Sequence, residues 1–143
     1  MSAQDDITAA RRLLESGFGD GDLSVVDDYV ASDFIERQNG SQGTGPEAVK
    51  KIVRSLHESF SDMRMTSADI VAAGDDVWVR ARAAGHNARP AMGRPSTGKD
   101  FEIDVIDVIR FGDGEMVEHR GVADRLGVIQ TLGLMPGSPR RAA

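Results

Sequence analysis

The segment 101–111 alternates in character. Its odd positions are Phe101, Ile103, Val105, Asp107, Ile109 and Phe111, apolar in every case but one, as expected of a strand with one face turned to a core. Asp107 interrupts that face. An ionised carboxylate on a buried surface is costly unless something pairs with it. The turn Gly112-Asp113-Gly114 points to the partner. A three-residue hairpin loop with Gly114 in the left-handed region pairs Phe111 with Glu115, and His119 then lies directly across from Asp107, close enough to hydrogen-bond. A carboxylate holding an imidazole in one tautomer is an arrangement suited to proton transfer; the competing reading is a satisfied structural pair. A two-residue Asp113-Gly114 loop would instead set Arg120 opposite Asp107 as an ordinary ion pair. Met116 and Val117 are neighbours, so the periodicity of 115–123 does not choose between the two registers.

Three further residues are substrate-binding candidates. Glu36 lies where a short extended segment would reach a pocket mouth, with an exposed glutamate as the plain alternative. Arg80, with Arg82, lies on the strand face opposite Val77, Val79, Ala81 and Ala83; its plain alternative is a solvent-facing arginine beside Trp78. His86 ends that strand, where it would line an entrance. His57 reads as a boundary side chain of a helix, and Asp124 as a helix N-cap. The three histidines are far apart and no metal-ligand spacing appears, so no metal site is expected. Gly17-Phe18-Gly19-Asp20-Gly21 follows a helix where a phosphate loop requires a strand, and Asp20-Gly21-Asp22 lacks the glutamate that closes a calcium loop.

The elements that must position these groups follow from periodicity. Ile7, Ala10, Leu14 and Phe18 form one stripe of a helix over 6–18, stopped by Gly17, Gly19 and Gly21, with a shorter helix over 23–30 behind it. An extended piece at 33–38 leads into a loop at 39–45. Pro46 opens the next helix, with Val49, Ile52, Val53, Leu56 and Phe60 as its buried side. From Met63 the period changes to two, giving strands over 63–73, 77–85, 101–111 and 115–123. Gly74-Asp75-Asp76 and Gly112-Asp113-Gly114 are turns, 86–99 is a long loop, and a last helix runs from Asp124 to Gly133. Helices followed by an antiparallel meander predict an α+β fold: a cone-shaped α+β barrel with helices packed on a curved sheet that encloses a pocket. One domain is expected over 1–135, with a flexible tail at 136–143.

Composition narrows the function. A chain of 143 residues can bury a core without a staple. It has no cysteine, which excludes thiolate catalysis and disulfides. The net charge of −6, with scattered lysines and arginines, argues against nucleic acid as a partner. No apolar run approaches about eighteen residues and no leader pattern opens the chain, so no membrane partner and a cytoplasmic location are expected. The mixed even face of 101–111 (Glu102, Asp104, Ile106, Val108, Arg110) suggests cover by a second subunit, hence a homodimer.

Two stretches carry a family resemblance. Gly85-His86 through Met92-Gly93-Arg94-Pro95-Ser96-Thr97-Gly98-Lys99 resembles the loop joining the middle strands of SnoaL-like proteins. Asp113 through Arg120, then Asp124 and Gln130-Thr131-Leu132-Gly133, resembles their closing strand and helix. The resemblance reaches from the first helix to about Leu134 and implies a cone-shaped domain that handles polycyclic aromatic polyketides without a cofactor. Ring-closing members carry an acid–base aspartate after the His-Arg pair, where this chain has Gly121. They place an asparagine near position 36 and polar groups near 105 and 107, where this chain has Glu36, Val105 and Asp107. The family's pocket groups share odd positions on both strands, which supports the three-residue turn. The leading expectation is therefore hydroxylation of an anthracycline-type substrate, with Asp107 and His119 as the acid–base pair and a redox partner enzyme allowed for. The alternatives are acid–base ring closure, isomerisation or epoxide hydrolysis by the same pair, and a non-catalytic ligand-binding module.

Overall fold

The computed structural model describes residues 2–38, 43–91 and 93–135. The expected tail at 136–143, the tip of the 39–45 loop and Met92 lie outside them. Helix α1 (Ala3–Arg12) is opened by a reciprocal cap: Ser2 Oγ accepts from Asp5 N–H while the Asp5 carboxylate accepts from Ser2 N–H. It passes into a π-helical segment, Leu13–Gly19. Of the expected stripe, Ala10 and Leu14 are buried and Ile7 and Phe18 pack against the same core, while the wider turn adds Leu13, Gly17 and Gly19 to the buried side beside Ala9. Helix α2 (Leu23–Tyr29) and helix α3 (Gly45–Ser59) follow, α3 with proline in its first turn as expected. A short helix α4 (Arg125–Thr131) closes the chain; its N-cap Asp124 accepts from Gly127 N–H at 2.8 Å.

The strands are β1 (Val30–Glu36), β2 (Gly43–Thr44), β3 (Ser61–Ala73), β4 (Asp76–His86), β5 (Asp100–Gly112) and β6 (Glu115–Ala123). They form one sheet in the order β2-β1-β6-β5-β4-β3. Every pairing is antiparallel except β1 with β6. The sheet stays open, with β2 and β3 at its edges, and the fold is α+β. The two-residue β2 lies in a stretch expected to be loop; it pairs only with the end of β1. Among the described residues no helix is long and apolar enough to cross a membrane.

Helices cover one face of the sheet. On β5 every odd residue from Phe101 to Phe111 is buried, as the alternation requires. Two apolar clusters result. One joins α1, the π-helical segment, α2 and α3 to Val77, Val79, Ala81, Ile109 and Phe111. The other joins Phe60, Met63, Ala83, Phe101, Ile103 and Val105 to Val128 and Leu132. Asp107 stands on the seam between them. The 86–99 loop is held by Asn87, a buried residue that carried no signal in the sequence. Its side chain accepts from Thr97 N–H and donates to the Arg89 carbonyl.

Candidate active site

The β5–β6 hairpin decides where the chemistry falls. Its loop is the two-residue Asp113-Gly114 turn, both residues having positive φ (51° and 79°), the geometry that matches strand twist. The three-residue loop is thus not formed. A two-residue loop alone would have placed Arg120 across from Asp107, and that is not found either. The register shifts once more between Arg110 and Phe111, where Val117 is the extra residue on β6. Turn and bulge together restore the parity that keeps His119 on the buried face. Asp107 faces Gly121, and His119 faces Ile109, two pairs along the ladder. Contact between Asp107 and His119 is therefore diagonal.

The diagonal closes because Gly121 has no side chain. His119 Nε2 lies 2.6 Å from Asp107 Oδ1. On its other side, Nδ1 lies 2.8 Å and 3.0 Å from the two carboxylate oxygens of Glu36. Glu36 arrives through the parallel pairing of β1 with β6, which sets it beside His119. It also accepts from Gln38 N–H at 2.9 Å, and Arg37 N–H donates to the His119 carbonyl. All three side chains are buried: Glu36 keeps 5%, Asp107 3% and His119 7% of its surface. The sequence reading sent Glu36 to a pocket mouth; its carboxylate is instead sealed against the imidazole.

Electrostatics assign the proton. Burial works against a charged imidazole, but the hydrogen bonds to Asp107 and Glu36 and the charges of both carboxylates outweigh it. His119 is pushed up from 6.5 to about 9. At neutral pH it is an imidazolium donating both N–H groups, one to each carboxylate. Among the described residues, Asp107 Oδ2 is left buried without a hydrogen-bond partner. Such an oxygen is a base with no other employment. Among the described residues no group of three or more metal-type side chains has a geometry that would hold an ion.

The other candidates stay apart from this cluster. Arg80 is on the outer face, its Nε 2.7 Å from Asp69. His86 pairs across β4 and β5 with Asp100 at 2.7 Å, at the half-exposed end of the sheet. His57 lies in the last turn of α3, its Nε2 2.9 Å from the Phe18 carbonyl oxygen. Two surface concavities lie elsewhere: about 230 Å³ on the outer face around Trp78, Arg110 and Arg120, and about 420 Å³ around Arg54, His57 and Arg89. Neither opens on the buried cluster. In the outer one, Arg110 is tied to Asp76 and Arg120 to Glu118, so its polar groups satisfy one another. Beside the cluster, Phe101, Ile103 and Val105 keep 6%, 8% and 6% exposure against 1% for Ile109, Val77 and Val79. The less tightly sealed apolar wall is thus the one toward α4 and the 86–99 loop.

Comparison with known proteins agrees with this architecture. The family model described as SnoaL-like polyketide cyclase matches residues 8–132. The aklanonic acid methyl ester cyclase DnrD of Streptomyces peucetius is 30% identical over 138 residues, covering 93% of this chain and 92% of DnrD. The nogalonic acid methyl ester cyclase of Streptomyces nogalater is 28% identical over 123 residues, covering 82% of this chain and 90% of that enzyme. Among solved structures, TsrD from Streptomyces laurentii superposes with a TM-score of 0.86 at 22% identity, covering 94% of this chain and 99% of TsrD. That last likeness speaks to the fold alone.

Proposed function

The chain belongs to the SnoaL-like polyketide cyclase family, and from that premise we propose that it closes a ring in an aromatic polyketide by acid–base catalysis. The observation that carries this reading is the buried, unpartnered Asp107 Oδ2 beside an imidazolium. Asp107 takes a proton from the carbon next to a substrate carbonyl, and the electron pair of that C–H bond becomes an enolate. The enolate carbon attacks a second carbonyl of the same molecule, forming one C–C bond while the C=O π pair moves to oxygen. Asp107 returns its proton to that alkoxide. Atoms and charge balance with no co-reactant, and the product is an isomer of the substrate. His119 stays protonated, orienting the carboxylate and stabilising its charge, while Glu36 holds the imidazolium from behind.

The acidic, apolar surroundings of the cluster favour an uncharged ligand. Glu36 and Asp107 flank one imidazole among buried apolar side chains, and burying a further free carboxylate from the substrate beside them is costly. Esterification removes that charge. The two cyclase relatives are named for methyl esters, which supports a polycyclic methyl ester as the substrate class.

Hydroxylation, placed first by the family resemblance and the departures from its ring closers, becomes the second reading. It uses the same anion but needs dioxygen and a two-electron reductant, hence a redox partner. What favours it is glycine at 121, where the resemblance implies an aspartate in ring closers; what weighs against it is that both curated relatives above are cyclases. Mass spectrometry of anthracyclinone-type methyl esters incubated with the protein, with and without air, separates them. An isomeric product formed equally without air supports ring closure. A product heavier by one oxygen, formed only in air, replaces it with hydroxylation. We further place the enzyme in the cytoplasm as a homodimer. Val71, Trp78, Ile106 and Val122 are exposed apolar residues on the outer sheet face, which supports burial against a second copy.

A further inference from the structure

Gly121 is intermediate in burial and stands directly across the β5–β6 pair from Asp107. A Cβ built on Gly121 would meet Asp107 Oδ1 at 2.6 Å, Gln38 Oε1 at 2.6 Å and His119 Cε1 at 3.1 Å. These atoms come from three places in the chain and converge on the space above one glycine. The backbone does not demand glycine there: Gly121 has ordinary strand pairing and is not among the residues of positive φ. Space is the reason for it. A methyl group would be cheap to accommodate in packing terms, because Gln38 and Asp107 meet it with the ends of their side chains. Turning Asp107 aside, however, removes Oδ1 from His119 Nε2, the 2.6 Å contact on which the site depends.

We propose that Gly121 is a positioning residue of the active site, and that positions 107 and 121 are mutually exclusive sources of one carboxylate. With glycine at 121 the carboxylate comes from β5. With a small residue at 107 the same volume is open to a carboxylate carried by β6, two residues beyond His119. The inference rests on the acid–base reading of the site.

The test uses the whole chain and two independent readouts: turnover, and the titration of the His119 ring followed by nitrogen NMR. Gly121→Ala is expected to fold, to lower the His119 titration midpoint and to cut turnover by about a hundredfold, the scale of one displaced acid–base group. Asp107→Ala is expected to do the same. The double variant Asp107→Ala/Gly121→Asp is expected to raise the midpoint again and to recover roughly tenfold or more of the turnover lost in Asp107→Ala. An unchanged titration in Gly121→Ala, or a double variant no better than Asp107→Ala in the ring titration, overturns the proposal. If wild-type protein closes no ring, the functional reading fails, and the NMR titrations still decide the exchange of carboxylates.

Discussion

At the scale of single residues, the informative feature is the asymmetry within one carboxylate. Oδ1 of Asp107 is tied to His119, and Oδ2 is buried without a partner among the described residues. Asp107→Asn keeps the shape and removes the base. Turnover is expected to fall by ~10²–10⁴ with ligand affinity retained, a split checked by single-turnover kinetics beside equilibrium binding. The imidazolium gives a second prediction. His119 is raised to about 9 in the folded protein from an unfolded value near 6.5, so the native state holds more protons between those values. Its contribution to stability is full below about pH 6.5 and is lost as the pH rises through about 9. Urea midpoints should therefore drop from about pH 6 to about pH 10. Glu36→Gln, which removes one of the two carboxylates, should lower the His119 midpoint and move that drop to lower pH. An unchanged profile in Glu36→Gln would mean that Glu36 does not hold the proton in place.

At the scale of elements, the active site depends on an irregularity of β6. A two-residue turn and one bulge together put His119 on the inner face. Because side chains alternate with a period of two, the one extra residue must be taken up in a bulge for His119 to face inward after a two-residue turn. Deleting Val117 shortens β6 by that residue and should leave a regular hairpin with His119 still across from Ile109 on the inner face. Turnover and the His119 ring titration are expected to stay near those of the wild type, checked by kinetics beside nitrogen NMR. Loss of both would show that the bulge itself, and not the parity it restores, shapes the site. The parallel pairing of β1 with β6 plays the matching part on the other side, bringing Glu36 beside a residue 83 positions away in sequence.

At the scale of the whole molecule, charge and apolar surface are divided between the two faces of the sheet. The inner face carries both apolar clusters and the buried triad. The outer face carries paired ions, such as Arg82 with Glu102 and Arg110 with Asp76, interleaved with Val71, Trp78, Ile106 and Val122. Those exposed side chains are the expected subunit contact. Trp78→Lys together with Val122→Asp should convert a dimer to a monomer in light scattering while sparing the inner site. A wild-type chain that sediments as a monomer at micromolar concentration would remove the homodimer.

Most of the architecture was legible in residue order. The apolar period over 46–60, the alternation over 101–111 and the glycine-marked turns determine an α+β plan, because local propensity and burial act within a few residues of chain. They also single out Asp107 as the buried carboxylate, and they leave His119 and Arg120 as its two possible partners, one for each turn length. Tertiary structure decided the rest. The widened turn of Leu13–Gly19 and the two-residue β2 answer to packing against β3 and β1, not to any local signal. The loop length at Asp113-Gly114 and the Val117 bulge could not be told apart by alternation, since Met116 and Val117 suit either face. On the outer face that alternation assigned to it, Arg80 is paired with Asp69 of β3, and His86 is paired with Asp100 of β5. The role of Glu36 was decided only by the parallel β1–β6 pairing, because no periodicity within a strand reports which distant strand will lie beside it.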